Sequence, residues 1–215
     1  VRDGQSRFIV PAPQPYRAAP FDIEPDATAA SYFFAAAALT GGRITASGLG
    51  KSSGQGDLRF VELLAEMGCT VEQTELSTTV TGPADGHLRG ITANMIDMPD
   101  VVMTLAVVAL FADGPTRIGG LSNLRHKETD RLLGTADLLR QFGGEVGMTD
   151  DGIDIHPPAT VHAATIDPHD DHRLAMSAAL VALRADGVVI SDPECVDKSF
   201  PDFFEYWRQL GVKVS

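Results

Sequence analysis

The chain has 215 residues, of which 44% are hydrophobic, and a formal net charge of −12 at pH 7. That charge argues against nucleic acid or an anionic membrane as a partner. No apolar run reaches the roughly 18 residues that a membrane-spanning helix needs. Cys69 and Cys195 lie far apart and lack the spacing of metal ligands. Such sparse cysteine fits a reducing compartment, so we predict a cytoplasmic protein without a metal site.

A unit of about seventy residues occurs three times along the chain. In each copy an aspartate precedes an apolar helix, a glycine follows the helix, and a short strand comes next. The aspartates are Asp26, Asp100 and Asp171, which are 74 residues (100 − 26) and 71 residues (171 − 100) apart. An amphipathic helix, a glycine stop and another strand complete each unit. We predict these helices at 58–67, 129–142 and 203–210, and these strands at 70–71, 145–146 and 212–214.

The first helix of each unit is apolar on nearly all sides, and a helix of that kind has to be buried. Strands with one polar face are then expected outside the helices. The sequence therefore predicts an α/β (α+β) fold with helices inside and sheets outside, in three units at about 21–97, 98–168 and 169–215. A symmetric arrangement of these units would bring all three helix starts to one end of the domain, where backbone N–H groups favour anions.

Segment 122–132, with the sequence SNLRHKETDRL, concentrates an amide, three fixed cations, a histidine and two carboxylates. It leads into the predicted helix 129–142, for which Thr129 or Asp130 would be the cap. Lys127, Glu128 and Arg131 would then lie at the positive end of the helix dipole, where an anion is stabilised. A solvated charged turn is the alternative on this local pattern alone. The predicted buried stripe of the helix consists of Leu132, Leu133, Ala136, Leu139 and Phe142.

Five segments together resemble the 5-enolpyruvylshikimate-3-phosphate synthase family. They are PDATAASYF (25–33), MPDVVMT (98–104), NLRHKETDR (123–131), DHRLAM (171–176) and KSFPDFF (198–204). The resemblance implies an inside-out α/β barrel of three βαβαββ units with pseudo-threefold symmetry. It also implies that the chain is the C-terminal domain (21–215) of a two-domain enzyme, with residues 1–20 as the end of the N-terminal domain. We therefore expect the chain alone to be inactive.

The resemblance implies a reaction in which the enolpyruvyl group of phosphoenolpyruvate passes to the 5-hydroxyl of shikimate 3-phosphate. By family position, Asp100 is the base at that hydroxyl and Glu128 transfers a proton at C3 of phosphoenolpyruvate. Asn123 and Lys127, with Asp100, would hold shikimate 3-phosphate. Phosphoenolpyruvate would be held by Arg131, Arg173 and Lys198. No cofactor is implied, and the partners are these two small anions and the N-terminal domain of the enzyme.

Several residues and two other functions stay open. Asp26 and Asp171 are expected to act as helix caps and orienters, and His126 and His172 as packing or supporting groups. If Arg131, Arg173 and Lys198 converge, we expect them to repel one another in the empty domain. The sister enolpyruvyl transferase that acts on UDP-N-acetylglucosamine is one alternative function, and a non-catalytic module that binds an anion or docks on a second chain is the other.

Overall fold

A computed structural model describes residues 2–3 and 7–214. Its α-helices are α1 (Ala27–Thr40), α2 (Phe60–Met67), α3 (Val102–Ala109), α4 (Arg131–Gln141), α5 (His172–Val181) and α6 (Phe203–Gln209). Its strands are β1 (Arg2–Asp3), β2 (Arg7–Phe8), β3 (Arg43–Ser47), β4 (Thr70–Gln73), β5 (Ser77–Thr81), β6 (Thr92–Asn94), β7 (Thr116–Gly119), β8 (Glu145–Met148), β9 (Gly152–His156), β10 (Ala164–Ile166) and β11 (Val188–Ile190). Short 3-10 helices span Gly56–Arg59, Pro99–Val101, Ser122–His126 and Pro193–Lys198.

The three apolar helices α1, α3 and α5 pack against one another in the centre of the fold. Every residue of α3 is fully buried, which agrees with a sequence that offers no polar face to water. The amphipathic helix α4 packs on both α3 and α5. The predicted mixed α/β fold with buried helices is confirmed by this arrangement.

The strands form separate sheets around these helices. β3, β5 and β4 make an antiparallel sheet in that order. The largest sheet has the order β6-β7-β9-β8, in which β6 runs parallel to β7 and the other neighbours are antiparallel. β10 and β11 form a parallel pair, and β1 and β2 form an antiparallel pair. The middle unit thus has the order βαβαββ in full.

Two local predictions were wrong. Residues 212–214 follow α6 without forming a strand. The corresponding strand of the middle unit, β8, pairs with β9, and among the described residues the third unit has no strand equivalent to β9. Leu133 was predicted to be buried, yet it is 45% exposed. It lies at the margin of the apolar stripe of α4, where it lines a surface groove with Ile166 and Leu174.

The aspartates that precede the central helices differ in what their carboxylates contact. The Asp26 carboxylate accepts hydrogen bonds from the backbone N–H groups of Thr28 (2.7 Å) and Ala29 (3.2 Å) and so caps α1. Asp171 caps α5 by accepting from the N–H group of Arg173 at 3.0 Å. Asp100 lies in the 3-10 turn before α3, and its carboxylate faces cations instead. The first and third aspartates match the usual capping role, and the second is free for another role.

Within residues 2–3 and 7–214, none of the helices combines the length and the apolar character that crossing a membrane requires. The predicted boundary between two domains at residue 20 stays a prediction.

Candidate active site

The centre of the site is Arg131, the first residue of α4, whose side chain is 1% exposed. Its Nε and Nη2 atoms donate side-on to the Asp171 carboxylate, at 2.7 Å to Oδ2 and 3.2 Å to Oδ1. Nη1 donates to Asp100 Oδ1 at 3.0 Å, and Nη2 lies 2.7 Å from Glu128 Oε2. One buried guanidinium therefore contacts three carboxylates. These contacts replace the hydrogen bonds to water that the guanidinium loses on burial.

Asp100 is the second branch point of this network. Besides Arg131, its Oδ1 atom lies 3.3 Å from the Lys127 ammonium. Its Oδ2 atom accepts from Arg173 Nη2 at 3.3 Å. Three cations thus surround a carboxylate that is partly exposed, with 28% of its side-chain surface open to solvent. A group in this position can be reached by a ligand.

Glu128 connects the network to the third unit, because its Oε1 atom accepts from Lys198 Nζ at 3.1 Å. Burial raises the pKa of Glu128, but hydrogen bonds from the backbone and Lys198 and the charge of Arg131 outweigh it and lower the pKa to about 2. Glu128 is therefore a carboxylate at neutral pH, and Lys198 and Arg131 make it a weaker base than an ordinary glutamate.

The starts of three helices and the end of one 3-10 helix bring these side chains together. Asp100 precedes α3, Arg131 begins α4, Arg173 lies in the first turn of α5, and Lys198 ends the 3-10 helix before α6. The sequence prediction that the starts of the central helices share one end of the domain with segment 122–132 is confirmed for α3 and α5. The repulsion predicted between Arg131, Arg173 and Lys198 is offset by neighbouring carboxylates. Each of the three converging cations contacts a carboxylate, so in the empty chain their charges are compensated.

Asn123 stands apart from the other predicted residues. It is exposed on the 3-10 helix Ser122–His126 and, within the described part of the chain, joins none of the ion pairs above. His126 is exposed on the same turn. His172 is buried, and burial together with the charge of Arg173 lowers its pKa, so its imidazole is neutral near pH 7.

Two residues at this end of the domain were missed by the sequence analysis. Asp57, in the 3-10 helix before α2, accepts a hydrogen bond from the Thr28 hydroxyl. Burial raises the pKa of Asp57, and the charge of Asp100 raises it further. Tyr32 of α1 is fully buried, and burial raises its pKa to about 12 although the charge of Arg173 opposes this. Asp57 lies outside the five segments that carry the resemblance, and Tyr32 lies within segment 25–33 but was given no role there.

The arrangement has the chemistry of an anion site. Arg131, Arg173, Lys127 and Lys198 supply guanidinium and ammonium donors, which suit carboxylates and phosphates. The carboxylates of Asp100 and Glu128 are partly exposed among these cations. An entering anion can take over their hydrogen bonds, which leaves the two carboxylates free to exchange protons.

Comparison with known proteins identifies the family. The family model described as EPSP synthase (3-phosphoshikimate 1-carboxyvinyltransferase) matches residues 1–207. The chain belongs to the EPSP synthase family. The resemblance inferred from the five segments is thereby confirmed.

Curated EPSP synthases are similar to almost the whole chain. The 3-phosphoshikimate 1-carboxyvinyltransferase of Brassica napus, named as chloroplastic, is 48% identical over 215 residues, which is 97% of this chain and 42% of the relative. The enzyme of Methanoculleus marisnigri is 46% identical over 204 residues, covering 95% of this chain and 48% of the relative. The chain thus spans less than half the length of these relatives.

Solved structures support the same family. EPSP synthase from Acinetobacter baumannii superposes with a TM-score of 0.78 at 28% identity, over 90% of this chain and 47% of that one. The enolpyruvyl transferase NikO from Streptomyces tendae has a TM-score of 0.69 at 22% identity, over 89% of this chain and 44% of that one. At 22% identity the second likeness concerns the fold alone.

Proposed function

We propose that this chain is part of an enzyme that transfers the enolpyruvyl group of phosphoenolpyruvate to the 5-hydroxyl of shikimate 3-phosphate. Family membership supports the reaction, and the observation that carries the assignment of residues is the network in which Arg131 joins Asp100, Glu128 and Asp171. Asp100 and Glu128, the two carboxylates proposed to exchange protons, lie there beside the cations that would bind the two anionic substrates. The proposed cytoplasmic location rests on composition, and the relative from Brassica napus is named as chloroplastic.

Asp100 is the base in this proposal. Its carboxylate takes the proton as the 5-hydroxyl attacks C2 of phosphoenolpyruvate, and Lys127 at 3.3 Å holds it close to the acceptor substrate. Asn123 is exposed on the preceding turn, from which its amide would bind the same substrate. Arg131, Arg173 and Lys198 bind the phosphate and carboxylate of phosphoenolpyruvate, and the arginines offer bidentate geometry.

Glu128 delivers the proton to C3. Its pKa of about 2 keeps it ionised in the empty chain, because Lys198 and Arg131 stabilise the carboxylate. When phosphoenolpyruvate binds these two cations, its negative charge offsets their positive charge. The pKa of Glu128 is then expected to rise. Substrate binding would thus convert a plain carboxylate into a proton carrier. The tetrahedral intermediate then returns a proton from C3 to Glu128 and expels inorganic phosphate, which takes the proton held by Asp100, and the product is the enol ether.

The relatives are about twice as long as this chain, so we propose that the other half supplies the remaining substrate contacts. The two halves would close over the substrates and exclude water. The chain alone should then release no phosphate from phosphoenolpyruvate, while the complete enzyme should do so when shikimate 3-phosphate is present. UDP-N-acetylglucosamine is the matched acceptor control and should give no release.

Asp100→Asn in the complete enzyme tests the assignment of the base. The amide nearly keeps the shape but cannot accept the proton, so turnover should fall about 10²-fold or more, while the chain still folds because Arg131 keeps Asp171 and Glu128 as partners. A variant that keeps its turnover would refute the role of Asp100. Release with UDP-N-acetylglucosamine but not with shikimate 3-phosphate would refute the proposed acceptor.

A further inference from the structure

Asp171 is a carboxylate with 0% exposure that the proposed reaction does not use. Its Oδ2 atom accepts from Arg131 Nε at 2.7 Å and from the Thr129 hydroxyl at 3.1 Å. Its Oδ1 atom accepts from Arg131 Nη2 at 3.2 Å and from the backbone N–H of Arg173 at 3.0 Å. Each carboxylate oxygen of Asp171 therefore accepts two hydrogen bonds, from donors of Arg131, Arg173 and Thr129. Neither oxygen is exposed to solvent.

We infer that Asp171 is a positioning residue, which aims the guanidinium of Arg131 and the first turn of α5 at one shared anion. The inference deepens the proposed function and rests on it, since the anion is phosphoenolpyruvate. Asp171 cannot touch this substrate, because its carboxylate is wholly enclosed. It acts through the arginines that do.

The two edges of the Arg131 guanidinium have different partners. A guanidinium has five N–H donors in a fixed plane. The edge formed by Nε and one N–H of Nη2 is occupied by Asp171, which is buried. The outer edge, formed by Nη1 and Nη2, meets Asp100 and Glu128, whose side chains are 28% and 34% exposed. The inner edge is thus fixed and the outer edge can exchange its partners for a ligand.

Fixing the inner edge determines where the outer edge points. Arginine has a long flexible side chain, and bidentate recognition of an anion depends on the orientation of the guanidinium plane. The side-on pair with Asp171 sets that plane before the substrate arrives, which is the preorganisation that a binding site requires. The Thr129 hydroxyl donates to Oδ2 of Asp171, the same oxygen that accepts from Arg131 Nε.

The same carboxylate sets the position of Arg173. By capping α5 at the N–H of Arg173, Asp171 fixes the backbone from which that side chain reaches Asp100 at 3.3 Å. Asp26 provides the comparison, because it caps α1 through Thr28 and Ala29 and, among the described contacts, meets no arginine. Asp171 therefore combines a cap, which Asp26 also provides, with an orienting contact that Asp26 lacks.

Steady-state kinetics of the complete enzyme separate these two roles. Asp171→Asn keeps the shape and the cap but loses the charge-assisted side-on pair. We expect the KM for phosphoenolpyruvate to rise about tenfold or more, while the KM for shikimate 3-phosphate stays within about twofold. Thr129→Val removes one donor to Asp171 and should shift the same KM in the same direction by a smaller factor. It serves as the second variant if Asp171→Asn does not fold.

Asp26→Ala is the matched control, since it removes a cap at an equivalent helix start. It should lower the melting temperature and leave both KM values unchanged. The inference is overturned if Asp171→Asn lowers the melting temperature but leaves the KM for phosphoenolpyruvate unaltered, or if both KM values rise equally. An unsubstituted enzyme without turnover would refute the proposed function and this inference together.

Discussion

Arg131 illustrates what a buried cation needs in order to remain in a fold. A guanidinium with 1% exposure loses nearly all its hydration, and its carboxylate partners Asp171, Asp100 and Glu128 replace it. Removing Arg131 would leave Asp171 buried without its main partner, at a cost of about 3–5 kcal/mol. Stability and binding are therefore inseparable at Arg131, and the more exposed Lys198 is the better residue on which to test binding.

Glu128 gives the site a measurable pH signature. Its pKa is about 2 in the folded chain and about 4.3 in an unfolded one. Because the folded value is the lower one, the ionised carboxylate stabilises the fold above pH ~4.3 and loses this contribution as the pH falls toward about 2. The Glu128→Gln variant should therefore lose less stability across this range than the unsubstituted chain.

Urea denaturation at several pH values between about 5 and 2 measures this difference. Asp137→Asn is a control, because Asp137 forms an exposed i,i+3 pair with Arg140 on α4. Identical slopes of stability against pH for the Glu128→Gln variant and the unsubstituted chain would show that Lys198 and Arg131 do not hold this carboxylate.

At the scale of residues, sequence reasoning found groups that lie in the five family-like segments and missed Asp57, which lies outside them. Segment 122–132 and the DHR motif at 171–173 pointed to Lys127, Glu128, Arg131 and Arg173. Asp57 stayed unnoticed because its closeness to Asp100 depends on how the first unit packs against the second. The ion pairs that compensate the cations were also missed, since distances between units cannot be derived from spacing along the chain.

Among the elements, the central helices were the most predictable. A helix that is apolar on all sides has to be buried. Asp26 also predicted correctly where α1 begins. The prediction of a strand at 212–214 was wrong because strand formation depends on residues outside this segment. A strand needs a neighbour to satisfy its backbone, and residue pattern alone does not show whether one is present.

Close packing of α1 against the end of β5 makes Gly82 a sensitive position. A Cβ atom there would lie 2.1 Å from the carbonyl oxygen of Ala37 and 2.9 Å from its carbonyl carbon. The Gly82→Ala variant must push the helix away from the sheet and should lose about 1–3 kcal/mol of unfolding free energy. For a chain of this size, that corresponds to a few degrees of melting temperature for each kcal/mol, roughly 2–4 °C.

Gly54→Ala is the matched control, because a Cβ atom at Gly54 would meet no atom within 4 Å. Thermal melting of the two variants should show a clear loss for position 82 and almost none for position 54. Equal melting temperatures for both would mean that α1 does not approach the sheet as closely as described.

At the scale of the whole molecule, charge is unevenly distributed. The chain carries a net charge of −12, yet Lys127, Arg131, Arg173 and Lys198 gather at one end of the domain. Two of the four lysines in the chain belong to this group. At that end the cations are paired with Asp100, Glu128 and Asp171, so the site suits a small anion that can exchange with these carboxylates, while the acidic remainder of the surface disfavours extended polyanions. This agrees with the proposed substrates.

If these cations form one anion site, phosphate should stabilise the 215-residue chain against thermal unfolding. Chloride at matched ionic strength is the reference for each phosphate concentration. Phosphate at about 100 times its Kd should add roughly 2.7 kcal/mol to the free energy of unfolding. Lys198→Gln should reduce this gain markedly, because Lys198 is proposed to bind the anion. Arg208→Gln is the control, because Arg208 is half-exposed and pairs with Glu205 as Lys198 pairs with Glu128.

We expect phosphate to stabilise the chain more than chloride does, with a smaller gain in the Lys198→Gln variant and an unchanged gain in the Arg208→Gln variant. Equal effects of phosphate and chloride, or equal losses in the two variants, would contradict this expectation and reduce the network to internal salt bridges without a binding function.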